Sequence, residues 1–140
     1  MPNLPQLASI ATLTMIGTIS MEPTLAIAQN RPRGCWEVMG EGKLTNKIFD
    51  CGENQICAEI AAGRVDGKPP TRVGEEVFIG PATQDRAKPQ LWRGRIWVYY
   101  RNEKHNRPMV LEVKSSRTLE VRDGILRRIK RTWNKLENCP

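Results

Sequence analysis

The chain has 140 residues, a formal net charge of +7 and a single histidine. That length suits one domain with a modest core, and one histidine excludes a metal site built on a histidine pair. The basic excess favours anionic partners such as lipid headgroups, acidic glycans or nucleic acid, although a solvated basic surface has the same composition.

Residues 1–28 carry one charged side chain, Glu22, and hold an apolar stretch over 7–19. They end in Ala26-Ile27-Ala28, a small-x-small pattern of the kind signal peptidase cuts after. No Lys or Arg precedes the apolar stretch, which is shorter than the roughly 20 residues a membrane span needs. The pattern predicts a signal peptide over 1–28, cleaved near Ala28, and a single mature domain over 29–140; a buried core helix is the other reading of the same stretch. Cleavage removes Glu22 and no basic residue, so the mature domain is more basic still.

The mature part has almost no helical periodicity. Short alternating or β-branched runs are broken by Gly, Pro, Asn and Asp. Strands are expected at 35–39, 43–51, 55–62, 76–79, 91–101, 109–114, 118–122 and 125–136. Turn chemistry separates them: Gly40-Glu41-Gly42, residues 50–54, Asp66-Gly67-Lys68-Pro69-Pro70, residues 102–108, and Asp123-Gly124, a strong hairpin signal. Over 91–101, Trp92, Gly94, Ile96, Val98 and Tyr100 share one face and Arg93, Arg95 and Arg101 the other. Met109, Leu111 and Val113 repeat the pattern, as do Leu119 and Val121. No amphipathic helix is present to cover the apolar face, so the sheet must close into a barrel or a sandwich. About eight strands give a barrel interior just wide enough for side chains or one small ligand.

The last run breaks the alternation. Ile125, Ile129 and Trp133 share a face with Arg127 and Arg131, and an inward guanidinium needs a carboxylate, a carbonyl or an aromatic ring. A bulge would turn the same arginines outward.

Conventional catalytic constellations are missing. His105 is alone in a polar segment, and no Gly-x-Ser-x-Gly elbow, His-Glu-x-x-His helix or Walker loop occurs. Gly40-Glu41-Gly42-Lys43 lacks the strand–loop–helix context of a phosphate cradle. Glu75 and Glu76, adjacent on a strand, are expected on opposite faces, where they cannot share a substrate bond. The chain is therefore not expected to be an enzyme, nor to hold a cofactor or metal. The cluster Arg127, Arg128, Lys130, Arg131 and Lys135, with Trp97, Tyr99 and Trp133 nearby, raises single-stranded nucleic acid as a rival partner. An exported domain seldom meets nucleic acid, and a solvated strand face accounts for the same residues.

Gly34-Cys35-Trp36, then Ile48-Phe49-Asp50-Cys51, Cys57-Ala58-Glu59-Ile60 and Asp66-Gly67-Lys68-Pro69 stand in an order similar to a bacterial periplasmic domain-of-unknown-function family with a lipocalin-like β-barrel. Trp92-Arg93-Gly94-Arg95-Ile96 resembles that family's tryptophan-glycine strand, and Leu119-Glu120-Val121 and Thr132-Trp133 its last two strands. The resemblance spans nearly all of the mature chain. It implies an all-β, up-and-down, lipocalin-like antiparallel barrel and a periplasmic or secreted location, and it implies no reaction. By analogy with lipocalin barrels, Trp36 on the first strand packs beneath Arg131 from the last, as a structural pair.

All four cysteines lie in the mature part, which reads as two disulfides in an oxidising compartment. Of the three connectivities, a barrel whose first and last strands pair antiparallel favours Cys35–Cys139, with Cys51–Cys57 clasping the turn between the second and third strands. The long bond is worth about 4–5 kcal/mol and the short one roughly 2 in the chain-entropy model.

The expectation from sequence is a non-enzymatic envelope barrel with a small apolar ligand against Trp92, Ile96, Val98, Met109 and Leu111. The same side chains filling the interior completely is the plainer version. The alternative is a secreted protein-binding or inhibitor module, acting through its basic surface and loops such as 102–108.

Overall fold

The computed structural model describes residues 30–64, 70–123 and 129–140. The expected leader at 1–28 lies outside the described residues, as do Asp66-Gly67-Lys68-Pro69, Ile125, Arg127 and Arg128. The strands are β1 (Gly34–Val38), β2 (Thr45–Gly52), β3 (Gln55–Ala62), β4 (Ala82–Gln84), β5 (Leu91–Tyr100), β6 (Glu103–Val113), β7 (Thr118–Asp123) and β8 (Ile129–Lys135). They form a closed antiparallel barrel in chain order, sealed by β1 pairing with β8. The fold class expected from the alternation is therefore the one adopted.

Period-two burial puts Ile56, Ala58 and Ile60 of β3 and Trp92, Ile96 and Val98 of β5 into the core. Register sets apolar partners opposite one another: Ile48↔Ala58, Trp92↔Leu111 and Leu119↔Trp133. Gly94 interrupts the inward row of β5 because a Cβ there would sit 3.1 Å from the Ala82 Cα. The small residue lets β4 approach closely.

Two expected elements differ. The segment 76–79 is not a regular strand; it forms isolated bridges, Glu59↔Glu76 and Phe78↔Ile96, and the fourth strand is Ala82–Gln84. Both pieces bond to β3 and β5, one toward each end of the barrel: Val77 N–H donates to Ala58 O and Ile79 N–H to Arg95 O, while β4 pairs with Ile56 and Trp92. Gly80 (φ 69°) and Pro81 divide them, and Pro81 brings no N–H to the ladder.

The second difference is at 102–108, expected as a loop. Strand β6 begins at Glu103, and β5 and β6 pair continuously from Tyr100↔Glu103 to Leu91↔Glu112. The turn is just Arg101-Asn102, with φ 50° and 64°, the left-handed geometry of a two-residue hairpin. His105 and Arg107 are thus strand residues, and the secreted-module alternative loses its loop.

The end of the barrel where β1 starts is filled. Trp36 donates its indole N–H to Pro32 O at 3.0 Å, and Trp92 donates to Asn30 O at 2.9 Å. The structure corrects the Trp36–Arg131 pair: the cation over Trp36 is Lys135, 4.7 Å from the ring centroid, which also donates to Arg33 O. Trp36 is opposite Lys135, whereas Arg131 is opposite Val121, four residues back along β8. At about 3.3 Å per residue that is over 10 Å away, near the other end. Cys35 is joined to Cys139 and Cys51 to Cys57.

Candidate ligand site at the barrel mouth

At the opposite end, where β1 leaves the barrel, side chains leave a cavity of about 40 Å³. Val38, Leu44, Ile60, Ile96, Val98 and Val121 supply apolar walls, and Glu41, Asn46, Arg64, Asp123, Arg131 and Trp133 supply polar atoms. Of the five residues expected to hold a ligand, Ile96 and Val98 line this cavity. Trp92, Met109 and Leu111 do not; they are at most 2% exposed. They fill the barrel below it, so the space expected deeper in the barrel is occupied by protein.

The polar side of the cavity is an ion-pair chain. Glu41, on the turn between β1 and β2, pairs with Arg64 at 2.9 Å and with Arg131 of β8. Arg131 Nε is 3.8 Å from the Asp123 carboxylate. The β7–β8 ladder runs from Thr118↔Asn134 to Asp123↔Ile129 in unbroken register, so Arg131 faces inward and finds carboxylate partners there. Burial pushes the Asp123 carboxyl above its ordinary value, and Arg131 and Arg107 oppose that shift.

Among the described residues, three buried side-chain atoms make no hydrogen bond with the protein: Asn46 Oδ1, Arg64 Nε and Trp133 Nε1. All three residues line this one cavity. A buried polar atom without a partner costs about 1–3 kcal/mol, and the three residues that carry these atoms meet around one space. A signal for two of the lining residues was present in the sequence. Asn46 and Asp123 are polar residues at inward positions, on the rows of Ile48 and of Leu119 and Val121.

On the outer face Glu120 is ringed by three cations. Burial acts to raise the Glu120 pKa, but Arg122 at 2.6 Å, Lys130 at 3.1 Å and Lys114 at 3.9 Å outweigh it and hold the carboxyl below its usual range. Lys130 of the basic cluster is spent there, and Trp133 is buried inside the barrel, 6.3 Å from Phe78 between ring centroids. Glu75 and Glu76 both serve β5: Tyr99 O–H donates to Glu75 at 3.0 Å and Trp97 Nε1–H to Glu76 at 3.4 Å. They reach neighbouring aromatic residues of one strand rather than opposite faces. Burial first, then Glu75, pushes the Tyr99 phenol up to about 12.

An open hollow of about 480 Å³ lies between 53–54 and 83–89. Its Asp85 is already engaged by the Lys88 and Ala87 N–H groups and by Arg93. Among the described residues no group of three or more His, Cys, Asp or Glu is placed to hold a metal ion, and no helix is long and apolar enough to cross a membrane. No family model, curated protein or solved structure matches the chain.

Proposed function

We propose that this chain is an exported, non-enzymatic barrel of the cell envelope, periplasmic or secreted, that holds a small ligand at its mouth. One observation carries the reading: Asn46 of β2, Trp133 of β8 and Arg64 after β3, each with a buried side-chain atom that makes no hydrogen bond, line one cavity of mixed apolar and polar wall. Two disulfides support export, because such bonds persist in oxidising compartments. The closed barrel agrees with the architecture implied by the resemblance to the periplasmic lipocalin-like family. The ligand has a polar head as well as an apolar part, since the walls are mixed.

Native mass spectrometry of the protein purified from an oxidising compartment tests this. A stoichiometric added mass that disappears on denaturation supports the carrier. A bare mass from every preparation, with no chemical-shift change at Trp133 or Val98 on screening small metabolites, refutes it. A second reading, a secreted protein-binding or inhibitor module, draws on exposed Met39, Tyr100 and Ile129 at the mouth ends of β1, β5 and β8. Pull-down from envelope extract, with and without substitution of these three, separates it from the carrier.

A further inference from the structure

The turn between β1 and β2 stands almost free of the barrel. A Cβ added at Gly40 would meet nothing within 4 Å, and one at Gly42 would meet only Arg64 Cδ at 4.0 Å. Gly40, Gly42 and Lys43 all have positive φ, at 81°, 50° and 55°, and the Glu41 N–H reaches Val38 O at a long 3.5 Å. Among the described residues, what ties this tip to the barrel is the Glu41 side chain, whose carboxylate sits between Arg64 and Arg131. Two arginines from separate parts of the wall thus grip one carboxylate, over a cavity whose own polar atoms Asn46 Oδ1, Arg64 Nε and Trp133 Nε1 are left unpaired.

Guanidinium groups are suited to carboxylates by charge and by their fork of donors. The Arg64 Nε–H and Trp133 Nε1–H are donors without acceptors, and beside them Leu44, Ile60, Ile96 and Val98 form an apolar wall. A hollow of about 40 Å³ has room for about three waters or a tail of one or two carbons. We infer that the mouth is a site for a small monocarboxylate with a short apolar tail: Arg64 and Arg131 take the ligand carboxylate, and Glu41 fills their grip when no ligand is present. This inference rests on the small-ligand reading above and names its chemical class.

Glu41 is then an internal competitor. A site available only part of the time has its apparent affinity reduced by that fraction. Removing the competing charge therefore tightens binding, a gain that misfolding cannot mimic. The test titrates propanoate and propanol, which share a tail, into the oxidised full chain, read by tryptophan fluorescence and by chemical shifts. The proteins are wild type, Glu41→Gln, and Glu41→Gln combined with Arg64→Met. Propanoate is expected to bind Glu41→Gln about tenfold more tightly than wild type, and the Arg64→Met combination to lose that gain. Equal binding of propanol and propanoate to Glu41→Gln, independent of Arg64, overturns the carboxylate class and leaves the ligand-binding barrel standing. No binding of either probe to any of the three proteins overturns both.

Discussion

Removing Cys35–Cys139 is expected to cost far more than removing Cys51–Cys57, and topology sets the ratio. The first bond spans a sequence separation of 104 and the second of 6. In the chain-entropy model the loops they close are worth about 5 and about 2 kcal/mol. Location adds to the contrast. Cys35 lies in β1, which pairs with β8 at only three positions, Trp36↔Lys135, Glu37↔Asn134 and Val38↔Trp133. This short seam closes the barrel, and Leu136 N–H extends it by donating to Cys35 O at 2.9 Å. The Cys51–Cys57 bond crosses a hairpin whose strands already share a long ladder from Thr45↔Ala62 to Gly52↔Gln55. A small domain has about 5–15 kcal/mol in all, so the Cys35→Ala/Cys139→Ala variant should be marginal and Cys51→Ala/Cys57→Ala well folded. Urea unfolding under oxidising conditions measures both losses, and amide exchange of β1 and β8 reports the seam. Equal losses, or a larger loss from the short loop, would refute the reasoning.

Asp123 gives a pH signature. Its folded-state pKa is raised above 3.8, so the native state holds the proton more firmly than the unfolded chain, and this group's contribution to stability falls as pH rises through that window. The stability of wild type minus that of Asp123→Asn should therefore decline with pH from about 3.8 upward and then level off; a difference rising across the window in urea midpoints contradicts this. Replacing Arg101-Asn102 by Asn-Gly suits the two left-handed positions of the β5–β6 turn and should add about 1 kcal/mol, measured by thermal or urea unfolding. A double-mutant cycle of Trp36→Leu with Lys135→Met should show a coupling of about 0.5–2 kcal/mol. The same cycle with Arg131→Met should show none, and the reverse outcome would restore the arginine as the partner of Trp36.

The alternation over 91–101, 109–114 and 118–122 was enough to read an all-β chain with one apolar face, because side-chain direction in a strand repeats every two residues whatever the strand packs on. The cysteine positions, Cys35 beside the first strand pattern, Cys139 after the last and Cys51 and Cys57 around a turn, likewise fit a closed barrel. Composition misled at 103–108: His105-Asn106-Arg107-Pro108 is polar because it is the upper part of a strand near the mouth, and only pairing with β5 reveals it. At 76–84, the break at Gly80-Pro81 splits the fourth barrel position into two pieces that a strand-length pattern cannot apportion. The lipocalin analogy implies Arg131 as the partner of Trp36, and periodicity, which assigns a face but not a height, does not separate it from Lys135 on the same face of β8. The mouth site lay furthest beyond reach. Glu41 and Arg131 are 90 residues apart, and Asn46, Arg64 and Trp133 come from three parts of the chain. Local pattern determines which side chains enter the barrel. Register and closure alone decide at what level they meet, and therefore which polar side chains line the same cavity.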